Sequence, residues 1–263
     1  MTSITQYTID AFTDTVFKGN PAAVCLLDEW LDDKVLLNIA QENNLSETAF
    51  VVAKDKDFEL RWFTPKAEID LCGHATLATA FALHLALENC PKTLKFHTRQ
   101  SGILAVQKDS NRFLMDFPMF DLTPIADIRP ISKILGITPK EVYLGRDLMC
   151  VFDDDNVVKD YQPNDELIAQ LDGALCHLTA PSSDKQFDCV SRSFAPKLGI
   201  TEDPVCGSAH CHIFPYWADK LGKSELIGWQ ASARTGVLHG QMKGKRLLLG
   251  GQAVLFAKSE IFV

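Results

Sequence analysis

The chain has 263 residues, 46% of them hydrophobic and 23% charged, and a formal net charge of −8. That length suits one large domain or two of about 130 residues, and it can bury a core without disulfides or metals. The acidic balance argues against nonspecific nucleic-acid binding, which needs clustered lysine and arginine, yet it leaves room for an anionic substrate at a locally positive site.

No run reaches the roughly 18 uncharged apolar residues of a membrane span. The polar stretch Met1 to Asp10 has no signal-peptide core. Eight cysteines in a chain without such a signal point to a reduced, cytoplasmic protein rather than a disulfide scaffold.

In chain order, Gly19-Asn20-Pro21 marks a first turn, and Leu31 to Glu42 predicts a helix with Asp32 or Asp33 near its start. Thr48 to Ala53 is strand-like, which places Glu47 at a strand entry. Phe58, Leu60 and Trp62 alternate with polar residues, the two-residue period of a half-buried strand. Gly73 to Leu87 contains no acidic residue, lysine or arginine, and a helix apolar all round is enclosed on all sides. Leu94 to Phe96 and Arg112 to Phe117 predict strands, with Ser101-Gly102 as a hairpin turn between them. Pro118, Pro124 and Pro130 interrupt regular structure and suggest a domain boundary. Ser208 to Leu221 predicts a second enclosed helix, with a kink at Pro215. Two enclosed helices require sheets curled around them.

An internal repeat carries the most information. Arg61-Trp62-Phe63-Thr64-Pro65-Lys66 matches Arg192-Ser193-Phe194-Ala195-Pro196-Lys197 as Arg-x-Phe-x-Pro-Lys. Downstream, Cys72-Gly73-His74-Ala75 matches Cys206-Gly207-Ser208-Ala209, and each pair opens an enclosed helix. Asp70 precedes the first and Asp203 the second. Two motifs in the same order, each about half a chain apart, predict a duplicated domain. The expected domains are 1–120 and 121–263, with the final strand able to pack across into the first.

A helix N-terminus presents unpaired N–H groups and the positive end of the dipole. Two such ends facing each other would hold a carboxylate, with Gly73, Ala75, Gly207 and Ala209 as the backbone binding positions. The same field lowers the pKa of a cysteine, so Cys72 and Cys206 are candidate thiolate bases; small buried hydrophobes are the alternative. Glu47 is a candidate proton carrier if desolvated, and otherwise a solvated turn residue. Asp203 reads as a helix cap or a site carboxylate, and His74 as a proton carrier, a hydrogen-bond donor or a core histidine. His210-Cys211-His212 invites a metal reading, but alternate helix residues point to different faces, so no metal is expected. Neither Gly19-Asn20-Pro21 nor Gly250-Gly251 makes a nucleotide-binding loop, so no cofactor is expected either.

Asp10-Ala11-Phe12, Gly19-Asn20-Pro21, Ser46-Glu47-Thr48-Ala49-Phe50, Phe63-Thr64-Pro65, Leu71 to Thr76 and Asp203 to His210 together resemble the PhzF-like (phenazine biosynthesis-like) family, in family order over almost the whole chain. The resemblance implies the diaminopimelate epimerase-like fold: α+β, with two pseudo-symmetric domains, each a curled, barrel-like, mostly antiparallel sheet around a central helix. It implies a cofactor-independent isomerase that relocates a proton on a small carboxylate, and commonly a homodimer. It maps the glutamate proton shuttle to Glu47 and the remaining site residues to His74, Asp203 and Ser208. The fold's epimerases and racemases use two opposed cysteines instead, which match Cys72 and Cys206. A two-cysteine racemase or epimerase is therefore one alternative, and a non-enzymatic ligand-binding or interaction protein another.

Overall fold

Strand alternation and one apolar helix organise each half of the chain. The computed structural model describes residues 2–263. They divide into two units, residues 2–116 with Gly250–Val263, and Phe117–Leu249.

In the first unit, helix α1 (Asp33–Asn43) begins after Asp32, as its sequence predicts, and ends on Asn44, whose φ of 48° is the left-handed conformation that closes a helix. Helix α2 (Gly73–Ala86) follows the extended residue Cys72. The strand Glu47–Lys54 separates the two helices. Phe50 and Val52 join Leu36, Ile39 and Ala40 of α1 in one apolar cluster. Strand side chains alternate between faces, so Glu47, Ala49 and Val51 point to the opposite face, where α2 lies. Helix α2 also packs against Ser3–Ala11, Asn20–Leu27, Ile103–Asp109 and Ala253–Phe262. A sheet that meets one helix along so many strands is curled around it. Burial of a side chain such as Leu77, 0% exposed, contributes about 2 kcal/mol.

The C-terminal strand Ala253–Phe262 pairs antiparallel with Ser3–Ala11, from Ser3↔Phe262 to Ala11↔Ala253. The turn at Gly19 packs tightly: its φ is +68°, and a Cβ there would lie 2.2 Å from the carbonyl oxygen of Ala11. Gly19→Ala is expected to cost at least about 1–2 kcal/mol, read as a lower urea midpoint at unchanged slope.

In the second unit, short helices α3 (Arg129–Leu135), α4 (Asp155–Lys159) and α5 (Asp165–Ile168) supply Ile131, Leu135, Val158 and Ile168 to one apolar cluster. Helix α6 (Gly207–Leu221) is the enclosed one. It runs on through Pro215, and the carbonyl of Cys211, left without a donor by the proline, accepts the Phe120 N–H at 3.2 Å.

The two units repeat one pairing order. Asn20–Leu27 runs parallel to Glu47–Lys54, which is antiparallel to Asp57–Phe63; that strand runs parallel to Thr93–His97, which is antiparallel to Ile103–Asp109. In the second unit Leu148–Val151, Cys176–Pro181, Cys189–Ala195, Glu225–Gln230 and Gly236–Lys243 follow the same sequence of parallel and antiparallel pairs.

The Arg-x-Phe motif has the same structural role in both. Arg61 makes a bidentate pair with Glu68 at 2.7 Å and stacks over Phe63. Arg192 does the same with Glu202 at 2.8 Å and Phe194. In each, the phenylalanine pairs directly with that glutamate across the ladder, Phe63↔Glu68 and Phe194↔Glu202.

One turn differs from its sequence reading. Ser101-Gly102 joins Thr93–His97 to Ile103–Asp109, a strand that the sequence reading passed over, and Arg112–Pro118 follows one hairpin later. Ile103–Asp109 buries only Val106, so its alternation is faint.

Candidate active site

In the first unit the strand entry and the α2 N-terminus bring three residues together. Thr48, fully buried, accepts a hydrogen bond from Asn43 Nδ2 at 3.1 Å, which pins the start of the strand beside α1. Glu47, one residue earlier, therefore faces the other way. Its Oε2 lies 3.0 Å from His74 Nε2, with side-chain exposures of 16% and 9%. Both atoms are shut off from solvent, and neither makes a well-aligned hydrogen bond within the chain. His74 Nδ1 lies 3.5 Å from Cys72 Sγ. His74 is thus not a satisfied core histidine, and Glu47 is not a solvated turn residue.

Burial works against a charged His74, but Cys72 and Glu47 beside it outweigh burial and hold its pKa well above the ordinary histidine value. Burial first, and then the Glu47 charge, push the Cys72 thiol up; His74 and the Ala75 N–H pull the other way and are outweighed. Glu47, Cys72 and His74 bring potential ligand atoms within 4.8 Å of one another. A protonated imidazole donates and cannot ligate, so the trio suits proton chemistry better than a cation.

In the second unit Cys206 precedes α6, and its Sγ lies 3.4 Å from Ser208 Oγ. Cys206 holds the N-cap position of α6, and Asp203 Oδ1 accepts the Val205 N–H at 3.1 Å inside the preceding turn. Gln230 clamps that turn, accepting the Cys206 N–H at 2.8 Å and donating to the Asp203 carbonyl at 2.7 Å. Burial, then the Asp203 charge, push the Cys206 thiol well up. Both thiols thus lie above the ordinary cysteine value, where a helix end alone would lower them: Cys72 and Cys206 are 7% and 3% exposed, and burial disfavours the thiolate.

The sequence reading missed several residues. Trp62 pairs with Ala49, so it shares the face of Glu47, and its indole N–H is buried without a partner. Gln230 also escaped notice, as did a buried group of Asp147, His177 and His212. Residues this far apart in the chain leave no local signal.

Burial pushes both His210 and His212 down to about 4. The unfolded chain takes up those protons near the ordinary value of 6.5, before the folded one does. Stability present above about 6.5 is therefore expected to fall as the pH drops toward about 4, by roughly 3 kcal/mol per histidine. His74 has the opposite sign: its stabilisation is present below about 6.5 and lost as the pH rises through its folded pKa. Urea midpoints at pH 7.5 and 4.5 check the net effect, and His210→Thr should flatten the acid-side slope.

Among the described residues no helix is long and apolar enough to cross a membrane. Two similar units, each a curled α+β sheet with an enclosed helix, define the epimerase-like fold class. A hydroxyproline epimerase from Agrobacterium vitis shares that fold, with a TM-score of 0.60 at 8% identity over 98% of this chain and 92% of its own. A family profile described as phenazine biosynthesis-like protein, PhzC-PhzF, matches residues 9–259. A Pseudomonas aeruginosa protein named an uncharacterized isomerase is 47% identical over 254 residues, 96% of each chain. A crystal structure of a PhzF-family protein from Enterococcus faecalis matches with a TM-score of 0.96 and 46% identity over 100% of both chains. The chain belongs to the PhzC-PhzF, phenazine biosynthesis-like family.

Proposed function

We propose that this protein is a cofactor-independent isomerase that moves a proton on a small carboxylate substrate, with Glu47 as the proton shuttle. The observation that carries the proposal is the pair of buried atoms 3.0 Å apart, Glu47 Oε2 and His74 Nε2, neither with a well-aligned partner in the chain. Buried polar atoms are normally satisfied, and an exception calls for a ligand or a reaction. Glu47 takes a proton from a carbon acid and returns it at another position, as general base and then acid. A protonated His74 supplies positive charge where negative charge develops on the substrate.

Asp203 and Ser208, in the second unit, are proposed to orient substrate and relay protons in the same reaction. The first-turn N–H groups at Gly73, Ala75, Gly207 and Ala209 are the proposed carboxylate donors, since such groups lack partners within their own helix. The raised thiol pKa values of Cys72 and Cys206 weigh against a resting thiolate pair. We also infer that the two units descend from one duplicated domain, split near residue 120, and that the protein works in the cytoplasm as a homodimer. The repeated pairing order and the duplicated Arg–Glu–Phe unit support the duplication.

The test is solvent deuterium incorporation, read by mass spectrometry, into a panel of small carboxylates and amino acids. Wild type is compared with Glu47→Gln and with Cys72→Ala/Cys206→Ala. Incorporation that stops with Glu47→Gln and survives the cysteine changes supports the shuttle. The reverse pattern replaces it with a two-cysteine racemase, and binding without exchange by the wild type makes the protein a binder.

A further inference from the structure

His210 and His212 lie one and three positions beyond the Ser208-Ala209 pair, and neither serves the chemistry above. His210 Nδ1 lies 2.8 Å from the Cys206 carbonyl, and His212 Nδ1 lies 3.2 Å from the Ser208 carbonyl. A carbonyl only accepts, so each Nδ1 carries the proton. The other nitrogens are consistent with this. The Asp147 N–H donates to His212 Nε2 at 3.4 Å, and Ser191 Oγ lies 3.3 Å from His210 Nε2, where it donates.

We propose that His210 and His212 are positioning residues that hold the Cys206-Gly207-Ser208 turn through Nδ1–H bonds to the carbonyls of Cys206 and Ser208. The proposal rests on the reading that Ser208 takes part in the reaction.

Three further observations support it. The first unit solves the same problem at the equivalent place, where Thr76 Oγ1 donates to the Cys72 carbonyl at 2.6 Å. Thr76 is four residues past its cysteine, as His210 is past Cys206. The surroundings also leave little room beside the two rings. A Cβ at Gly228 would lie 2.8 Å from the Phe214 ring and 3.2 Å from His210 Nε2, and one at Gly145 would lie 2.7 Å from the Asp121 carbonyl oxygen and 3.3 Å from His212 Nε2. Phe120 stacks on His212 with ring centroids 4.5 Å apart.

Finally, the group that holds His212 is itself held. The Asp147 carboxylate receives His177 Nε2 at 3.2 Å and the Leu175 N–H at 3.2 Å. Asp147, His177 and His212 are all 0% exposed and bring potential ligand atoms within 4.8 Å. Both nitrogens of His212 already have partners, so the group fixes a ring orientation rather than chelating a metal.

The experiment uses the full chain labelled with 15N-histidine. Long-range 1H–15N spectra between pH 5.5 and 8 should show His210 and His212 as neutral Nδ1–H tautomers that do not titrate, assigned by loss of their signals in His210→Thr and His212→Gln. An Nε2–H tautomer, or a midpoint near 6.5, overturns the proposal whatever the reaction proves to be. In the second arm, His210→Leu should raise amide exchange at Cys206, whose N–H is held by Gln230 in the same turn, about tenfold, the scale of one lost hydrogen bond. It should lower the rate of deuterium incorporation with little change in KM. His210→Thr, which borrows the first unit's solution, should restore both. Equal behaviour of the leucine and threonine variants overturns the positioning role.

Discussion

Glu47→Gln slows solvent-deuterium incorporation by about 10²–10⁴-fold, the usual contribution of a general acid–base group, while the protein stays folded. Two features of the site separate these effects. The glutamine is isosteric, and Glu47 Oε2 makes no well-aligned hydrogen bond that an amide would break. The strand itself is held on its other face by the Asn43–Thr48 bond and by the packing of Phe50 and Val52 against α1. The unfolding free energy, read by urea at a pH high enough for His74 to be neutral, should therefore move by less than about 1 kcal/mol while exchange collapses. Glu47→Asp keeps the carboxyl but withdraws it by one methylene, and should show an intermediate loss through misplacement. A glutamine variant with full exchange removes Glu47 from the mechanism.

The largest stability effect is expected at Arg192. Its guanidinium pairs with both oxygens of Glu202 and donates to the carbonyls of Tyr161 and Lys159 at 2.5 and 3.3 Å. Arg192→Met leaves a largely buried carboxylate and two carbonyls without their donor. Removing one partner of a buried pair typically costs about 3–5 kcal/mol. The equivalent Arg61→Met should cost less, roughly 2 kcal/mol, because Arg99 already reaches Glu68 at 3.1 Å and Asp33 is mostly exposed. The order Arg192 before Arg61, measured by urea unfolding of both variants, tests whether the duplicated unit is energetically the same in the two halves. Equal losses would mean that Arg99 provides no reserve.

The conserved geometry of these two arginines explains why the repeat was visible in the sequence. A bidentate Arg–Glu pair with a phenylalanine beneath it tolerates few substitutions, so both copies keep Arg-x-Phe at the same spacing. The enclosed helices were visible for a similar reason: their buried turns carry no lysine or arginine, and α6 reaches Asp219 and Lys220 only in its exposed last turn. Glu47 could be placed at a strand entry because the apolar run after it is short and bounded. The local strand Ile103–Asp109 escaped because it buries little, and a surface strand needs no alternation.

By itself, then, the sequence determined the repeated Arg-x-Phe motif, the two Cys-Gly turns and the residues that mark the family. These features depend on short-range patterns of burial and on backbone needs that repeat along the chain. The tertiary structure alone decided which groups those residues meet. It set His74 against Glu47, raised the thiol pKa values of Cys72 and Cys206 above what the helix dipole suggested, and gave His210 and His212 to two carbonyls. Proton affinity and hydrogen-bond partnership depend on which charges and carbonyls lie within a few ångströms, and those neighbours come from strands and loops that are remote in the chain.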